Sequence, residues 1–336
     1  MFSDHSQIVF ENEELLPKSW MASGRPGASF VFNPSIARFG DSILMAYRVV
    51  GPDRRRRIAL CRLDTALRVV GNSVIPLSDH LTDCDDWHAD PRFCIYGNRL
   101  LLHFNSGMGE PRHGANKIYI VELDPDNLTP RRVPQALELE GVRQKFEKNW
   151  MLFEHEGDLL AVYRIEPHIV LRCLLGKTGP VQCRTIYQLY WDSSPYARHY
   201  GGLRGSTPPI RLGDAYFSFF HSVYPVRSLR SIMHRLLSGR SLYMLNYVGG
   251  FYSFAATPPF APICLTHTPV LWPPDLCRYS PRQLDRRIHQ CVYPSGAVLL
   301  GDQWVVSYGA QNEYCCLSKY SHRDLLAVMK KSEVLP

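Results

Sequence analysis

The sequence predicts an all-β fold, a five-bladed β-propeller with a small helical insertion between blades 4 and 5. Three observations predict it: a turn-and-strand pattern recurs five times, most copies are spaced as single four-stranded blades, and a second strand motif recurs in step with the first. The copies are Gly40-Asp41 before Ser42–Arg48, Gly97-Asn98 before Arg99–Phe104, Gly157-Asp158 before Leu159–Arg164, Gly213-Asp214 before Ala215–His221 and Gly301-Asp302 before Gln303–Tyr308. Each is a turn dipeptide feeding an apolar, β-branched or aromatic strand. Their glycines are separated by 57, 60, 56 and 88 residues, so the last interval holds the insertion, at about residues 224–290 of a single domain spanning 1–336. A β-sandwich is the competing all-β reading.

The second motif supports the repeat independently. Arg57–Leu63 pairs with the strand ending at Arg48 across a turn containing Gly51, Pro52 and Asp53, and Lys117–Leu123 plays the same third-strand part in the next copy. Asp64 and Asp124 close these two equivalent strands. The same pairing puts Arg54–Arg57 at or beside a hairpin tip, where four arginines read as a solvated end rather than a binding patch.

Composition narrows the function classes. A chain of 336 residues with 45% hydrophobic and 21% charged residues has material for a large core and no disorder signature. Met1–Glu14 carries four acids and no apolar run, which argues against a secretory signal or transit peptide, and no stretch is long enough to span a bilayer. A cytoplasmic location is the expectation. The ten cysteines are scattered, include the adjacent Cys315 and Cys316, and form no CxxC pair, so they read as reduced core thiols with no metal site. The net charge of +7 gathers in Arg54–Arg57 and around Arg227, Arg230, His234, Arg235 and Arg240, neither of which lies in a nucleic-acid module. No nucleic-acid partner is expected.

The chemistry is expected where the blades converge. Upstream of each turn lies a short polar cluster: Asn33-Pro34-Ser35, Asp90-Pro91-Arg92, Glu147-Lys148-Asn149-Trp150, Arg204-Gly205-Ser206-Thr207 and Tyr293-Pro294-Ser295-Gly296. Each post-turn strand again ends in a polar or aromatic residue, namely Arg48, Asn105, Arg164, His221 and Tyr308. In a propeller the innermost strands line one channel, so the clusters predict one ring. It is cationic, with Arg48, Arg92, Lys148, Arg164, Arg204 and His221, and has one well-placed carboxylate, Asp90. Guanidinium and ammonium groups in such a ring suit phosphate or another compact anion. Trp87, Trp150, Tyr163, Tyr200 and Tyr293 are candidates to stack on a sugar ring. The competing reading is structural, with ion pairs such as Asp90 with Arg92 or Arg48 fastening blades together.

At these clusters the sequence resembles glycoside hydrolase family 130, the inverting β-mannoside phosphorylases, and the β-1,2-mannosyltransferases that share their propeller. The matching pieces are Asn33-Pro34 with Tyr47-Arg48, Asp90-Pro91-Arg92, Lys148–Phe153, Thr207–Ile210 with Phe220-His221, and Tyr293–Ala297 with Tyr308-Gly309-Ala310, in family order. The resemblance implies that Asp90 is the catalytic acid, protonating the departing glycosidic oxygen through a hydroxyl of the sugar. It implies that Asn33 and Arg48 hold the glycosyl unit, with Trp150, Arg164, Thr207, Tyr293, Tyr308 and Asn312 completing the sugar site. Arg92, Lys148, Arg204 and His221 are then the contacts to phosphate. No cofactor is implied, only inorganic phosphate as co-substrate or a sugar nucleotide as donor. Two departures stand out: Ala89 replaces an acid before the catalytic aspartate, and Asn312 replaces a later aspartate, removing a charge that would grip sugar hydroxyls.

Three functions follow from different classes: a phosphorylase acting on a β-mannoside-like bond, a glycosyltransferase using a sugar nucleotide, and a catalytically silent carbohydrate-binding propeller. An inverting hydrolase needs a second carboxylate to activate water; Glu147 and Glu166 are the nearest candidates and read as structural partners of basic neighbours. Phosphate as nucleophile needs no such base. Val226–Ser238 reads as a basic amphipathic helix, which is a rim decoration, a lid, an acceptor-binding element or a peripheral membrane contact, and Trp272–Gln290 as a second loop over the pocket.

Overall fold

The computed structural model describes residues 7–21, 29–107, 116–141, 147–226, 244–272, 284 and 288–335. The described chain is mostly β, with a few short helical segments. It begins with a short strand, β1 (Gln7–Val9), and continues through five successive antiparallel meanders. The first comprises β2 (Phe30–Phe39), β3 (Ser42–Val50) and β4 (Arg56–Leu63). The second comprises β5 (Ala89–Tyr96), β6 (Arg99–Ser106), β7 (Lys117–Leu123) and β8 (Gln135–Leu139). The third comprises β9 (Met151–His155), β10 (Asp158–Arg164), β11 (His168–Leu174) and β12 (Val181–Leu189).

In the fourth, β13 (Leu203–Gly205) and β14 (Ile210–Leu212) share one neighbour, β15 (Ala215–Pro225), which pairs with β16 (Leu245–Ala255) and through it β17 (Pro262–Thr266). The fifth comprises β18 (Ile288–Leu300), β19 (Gln303–Ala310) and β20 (Tyr314–Ser321), and β1 pairs with β20 as its outer strand. The first strand of the chain thus completes the last meander. A final strand, β21 (Met329–Lys331), covers the edge of β17.

Alternation along the strands explains how these sheets pack. Ile43, Met45 and Tyr47 face one way from β3 and Leu44 and Ala46 the other, and both sets are buried. The same holds for Leu159 and Ala161 against Leu160 and Val162 on β10. Strands covered on both faces read as continuous apolar runs, which is why the post-turn segments lack polar alternation. The buried side chains sort into apolar layers between the first and second meanders, second and third, third and fourth, fourth and fifth, and fifth and first. Every meander therefore packs on two neighbours, and the last returns to the first.

The recurring turns are tight hairpins. Phe39 pairs with Ser42, Tyr96 with Arg99, Leu212 with Ala215 and Leu300 with Gln303, leaving Gly40, Gly97, Gly213 and Gly301 as first loop residues at φ 57 to 64°. A two-residue loop opening with positive φ favours glycine there. The third copy differs from the predicted Gly157-Asp158 turn. His155 pairs with Asp158, so the loop is Glu156-Gly157, both at positive φ, and the aspartate belongs to the strand. The ends of the leading strands from all five meanders line one cavity of about 470 Å³, with Arg38, Ile95, Glu154, Arg211 and Leu299 among its walls.

The expected insertion is smaller than its boundaries. Residues 224–290 contain β16 and β17, ordinary strands of the fourth meander, and β18 begins at Ile288. The predicted helix Val226–Ser238 lies outside the described residues except for Val226, as does the stretch 273–283 of the predicted second loop. The nine described cysteines are free thiols, most of them buried.

Candidate active site

The site is built where the leading strands break their ladders. The pairing of β2 with β3 skips from Phe32 to Ser35, and that of β5 with β6 from Ala89 to Arg92, so Asn33-Pro34 and Asp90-Pro91 occupy equivalent bulges. Proline cannot donate to a ladder, and the residue before each is tipped into left-handed backbone, at φ 53° for both Asn33 and Asp90. Asn149, at φ 66°, takes the corresponding place just before β9. Asparagine and aspartate tolerate this conformation better than other side-chain-bearing residues, and it turns their side chains out of the strand alternation.

Asp90 is at the centre. It is 9% exposed and its Oδ1 accepts a hydrogen bond from Asn33 Nδ2 at 2.8 Å and an ion pair from Arg48 Nη2 at 3.3 Å. Asn105 Nδ2 donates to Oδ2 at 3.3 Å. Three donors on two oxygens fit a carboxylate, not a carboxylic acid. Burial pushes this group up, but Arg48, Arg92, the Asn33 hydrogen bond and Arg56 outweigh it and hold it at about 2. Arg48 lies 4.2 Å from the Phe32 ring centroid, and its Nε and Asn33 Oδ1 are buried without a partner among the described residues.

Arg92 is an internal strut. At 1% exposure it donates from Nε to Ser206 O at 2.6 Å and from Nη2 to Tyr293 Oη at 2.7 Å. Tyr293 Oη donates in turn to Asn149 Oδ1 at 2.6 Å, and Ser206 Oγ is 2.7 Å from His221 Nδ1. One guanidinium therefore ties the second meander to the fourth and fifth, and through Tyr293 to the third. Burial, with Arg204, Arg92 and Lys148, lowers the His221 imidazole well below its ordinary range. Burial also raises the Tyr293 phenol to about 12.

Beyond this strut opens a cleft of about 390 Å³ whose walls include Lys148, Asn149, Tyr163, Arg164 and Arg204. The three cations keep exposed faces and make no ion pair among the described residues. Lost solvation lowers the Lys148 ammonium, with Arg204, Arg92 and Arg48 adding to it against the pull of Asp90. Glu147 borders the same cleft but is buried, with Oε2 accepting from Trp150 Nε1 and Oε1 from Tyr163 Oη, both at 3.3 Å. Glu166 is exposed.

Of the residues expected from sequence, Asn33, Arg48, Asp90, Arg92, Lys148, Arg164, Arg204, His221 and Tyr293 come together here. Trp150, Thr207 and Tyr308 do not present side chains to it. Trp150 is 1% exposed in the apolar layer between the second and third meanders. Thr207 is buried with its Oγ1 accepting from Phe219 N at 2.9 Å. Tyr308 fills the layer between the fourth and fifth meanders. Asn312 lies in the β19–β20 hairpin loop at φ 59°. Arg92 is likewise occupied within the protein rather than open to a phosphate.

Arg56 was missed, because the four-arginine run reads as a solvated tip. Arg54 and Arg55 are exposed and Arg57 pairs with Asp53 at 2.5 Å, but Arg56 is half-buried within electrostatic reach of Arg48 and Asp90. The signal was available in strand alternation: Arg56 shares its face with Ile58 and Leu60, which pack against the second meander, where Asp90 lies.

No family model and no curated protein matches the sequence. Solved structures do match in fold. A β-1,2-mannobiose phosphorylase from Listeria innocua superposes with a TM-score of 0.58 at 12% identity, covering 96% of this chain and 98% of that one. A structure from the GH130 family of mannoside phosphorylases gives 0.57 at 13% identity, covering 88% and 85%. MPT-1, a GDP-Man-dependent mannosyltransferase from Leishmania mexicana, gives 0.55 at 11% identity, covering 90% and 93%. Over nearly its whole length, the chain shares its fold with these carbohydrate-active enzymes.

Proposed function

We propose that the chain is a carbohydrate-active enzyme of the phosphorylase type, a five-bladed β-propeller forming one domain in which the five meanders are the blades. It transfers a hexosyl unit, of a β-mannoside-like kind, between a phosphate-bearing donor and an acceptor hydroxyl, with inversion. The observation that carries this is a buried carboxylate, held by Asn33, Arg48 and Asn105, beside a cleft of cations that have no counterions among the described residues. Lys148, Arg164 and Arg204 hold the phosphate for in-line departure or attack, and Asn33 and Arg48 hold the sugar next to Asp90.

The ionisation of Asp90 favours bond formation as the working direction. Breaking a glycoside leaves an alkoxide that needs an acid, whereas a phosphate departs without one. In the forming direction the acceptor hydroxyl attacks C1, the C1–phosphate bond breaks, and the proton passes to the Asp90 carboxylate, directly or through a sugar hydroxyl. Both oxygens of Glu147 already accept hydrogen bonds from Trp150 and Tyr163, which counts against a hydrolase that needs a second free carboxylate. A nucleotide sugar is the alternative donor, since its leaving group also departs without an acid, and MPT-1 is described as using one.

Incubation with mannosyl phosphate and an acceptor panel, then with GDP-mannose, separates the donors by which is consumed. Asp90→Asn should lower transfer by about a hundredfold to ten-thousandfold, the usual contribution of a proton-transfer group, with the fold retained. Undiminished transfer removes Asp90 from the mechanism, and saccharide binding without turnover of any donor leaves a silent propeller.

A further inference from the structure

The proposed donor phosphate accounts for Lys148, Arg164 and Arg204, and Asp90 accounts for Arg48. Arg56 is left over. It opens β4, and its carbonyl accepts a hydrogen bond at 3.1 Å from His88 N, two residues before Asp90. Its guanidinium lies 5.7 Å from the centroid of the half-buried Trp87 ring. Trp87 sits at φ 80°, a backbone conformation that a bulky residue adopts only where the surroundings impose it, and such positions cluster at ligand sites.

The nearby acids do not neutralise Arg56. Asp85 is directed to Tyr119 and His88, Asp86 bears on His88, and no carboxylate lies within ion-pair distance of Arg56 among the described residues. The charges that bear on it are Arg48, which repels it, and Asp90, which attracts it, while burial and Arg48 lower it to about 10. A half-buried guanidinium with no hydrogen bond or ion pair from its side chain among the described residues is costly to keep, and a bound anion offsets that cost. The guanidinium lies over the Trp87 ring, and the half-buried indole adds an apolar surface of the kind on which a saccharide packs.

We propose that Arg56 and Trp87 form an acceptor-side subsite, on the first-meander flank of Asp90, whose ligand is an anionic saccharide carrying a phosphate or carboxylate. This rests on the proposed transfer reaction. The donor's anion is bound on one side of Asp90 and the acceptor's on the other, so the acceptor hydroxyl is presented to the carboxylate between them. The reaction that supplies the acceptor is then a sugar phosphorylation or an oxidation of a primary alcohol to the acid.

The test compares glucose, glucose 6-phosphate and glucuronate as acceptors. The wild-type protein should use one of the two anionic sugars about tenfold to a hundredfold better in kcat/KM than glucose, the range of one charge-assisted contact. In Arg56→Gln the ratio should collapse toward one, while Arg56→Lys retains part of it. Equal use of neutral and anionic sugars by the wild type, or an undiminished preference in Arg56→Gln, overturns the proposal. Calorimetric titration of the same sugars keeps this question apart from the transfer reaction. Binding of an anionic sugar that Arg56→Gln loses supports the subsite even without turnover, and no binding to a folded wild-type protein refutes it.

Discussion

At one end of the leading strands the chain reverses through tight hairpins beside a largely apolar cavity; at the other, the same strands hold Asn33 and Asp90 in bulges, with Asn149 alongside, around a cluster of charges. The hairpin end is regular and tolerant. A side chain added at Gly40 meets nothing within 4 Å, and so with Gly97 and Gly301. The bulged end is crowded: a methyl at Gly309 would collide with Asn33 Oδ1 and come within 2.7 Å of Asn33 N, and one at Gly205 would collide with Asn149 O. The repeat is fixed by its turns, while the candidate site lies where the ladder is interrupted and side chains leave the alternation.

Removing the strut beneath the site should have the largest effect. Arg92→Met leaves Ser206 O and Tyr293 Oη without their buried donor and should cost about 3 kcal/mol or more in urea unfolding, since each orphaned group costs about 1–3 kcal/mol. A loss below about 1 kcal/mol would show that Arg92 does not tie the meanders together. Next in size is the contrast between glycines. Gly309→Ala should cost about 2–3 kcal/mol through overpacking and lower transfer at least tenfold by displacing Asn33, whereas Gly40→Ala should cost about 1 kcal/mol through its positive φ alone and leave transfer intact. Equal effects at the two positions would erase the distinction.

The third sharpens the charge state of Asp90. Its folded pKa of about 2 lies below the unfolded value near 4, so its contribution is present above that value and is lost as pH falls from about 4 to 2. The stability margin of wild type over Asp90→Asn should therefore shrink by about 2 kcal/mol between pH 5 and pH 2. A margin that does not move with pH would mean that the carboxylate is not held in its ionised form.

What the sequence revealed follows the same division. Turn glycines and apolar runs repeat, so the order of strands and the extent of the meanders could be read from Gly40, Gly97, Gly213 and Gly301, and the one-residue slip at Glu156-Gly157 changed nothing downstream. The Asx-Pro and Asn-Trp clusters likewise pointed to Asn33, Asp90 and Lys148. Sequence position alone does not say which way a neighbour of such a cluster points: Trp150, one residue past left-handed Asn149, turns into an apolar layer, and Thr207 turns in to cap Phe219 N. Nor does a charge run show that one member faces inward, as Arg56 does while Arg54 and Arg55 remain in solvent. Arg92 was legible as a possible fastener between blades, but through Asp90; its partners Ser206 and Tyr293 were not, because they lie more than a hundred residues away.

The most direct test of the central claim is a crystal structure with inorganic phosphate and no sugar. One anion should lie in the cleft contacting Lys148, Arg164 and Arg204, with Asp90 still bound by Asn33, Arg48 and Asn105. A cleft that stays empty while phosphate settles elsewhere, or an Asp90 released from those three donors, would contradict it.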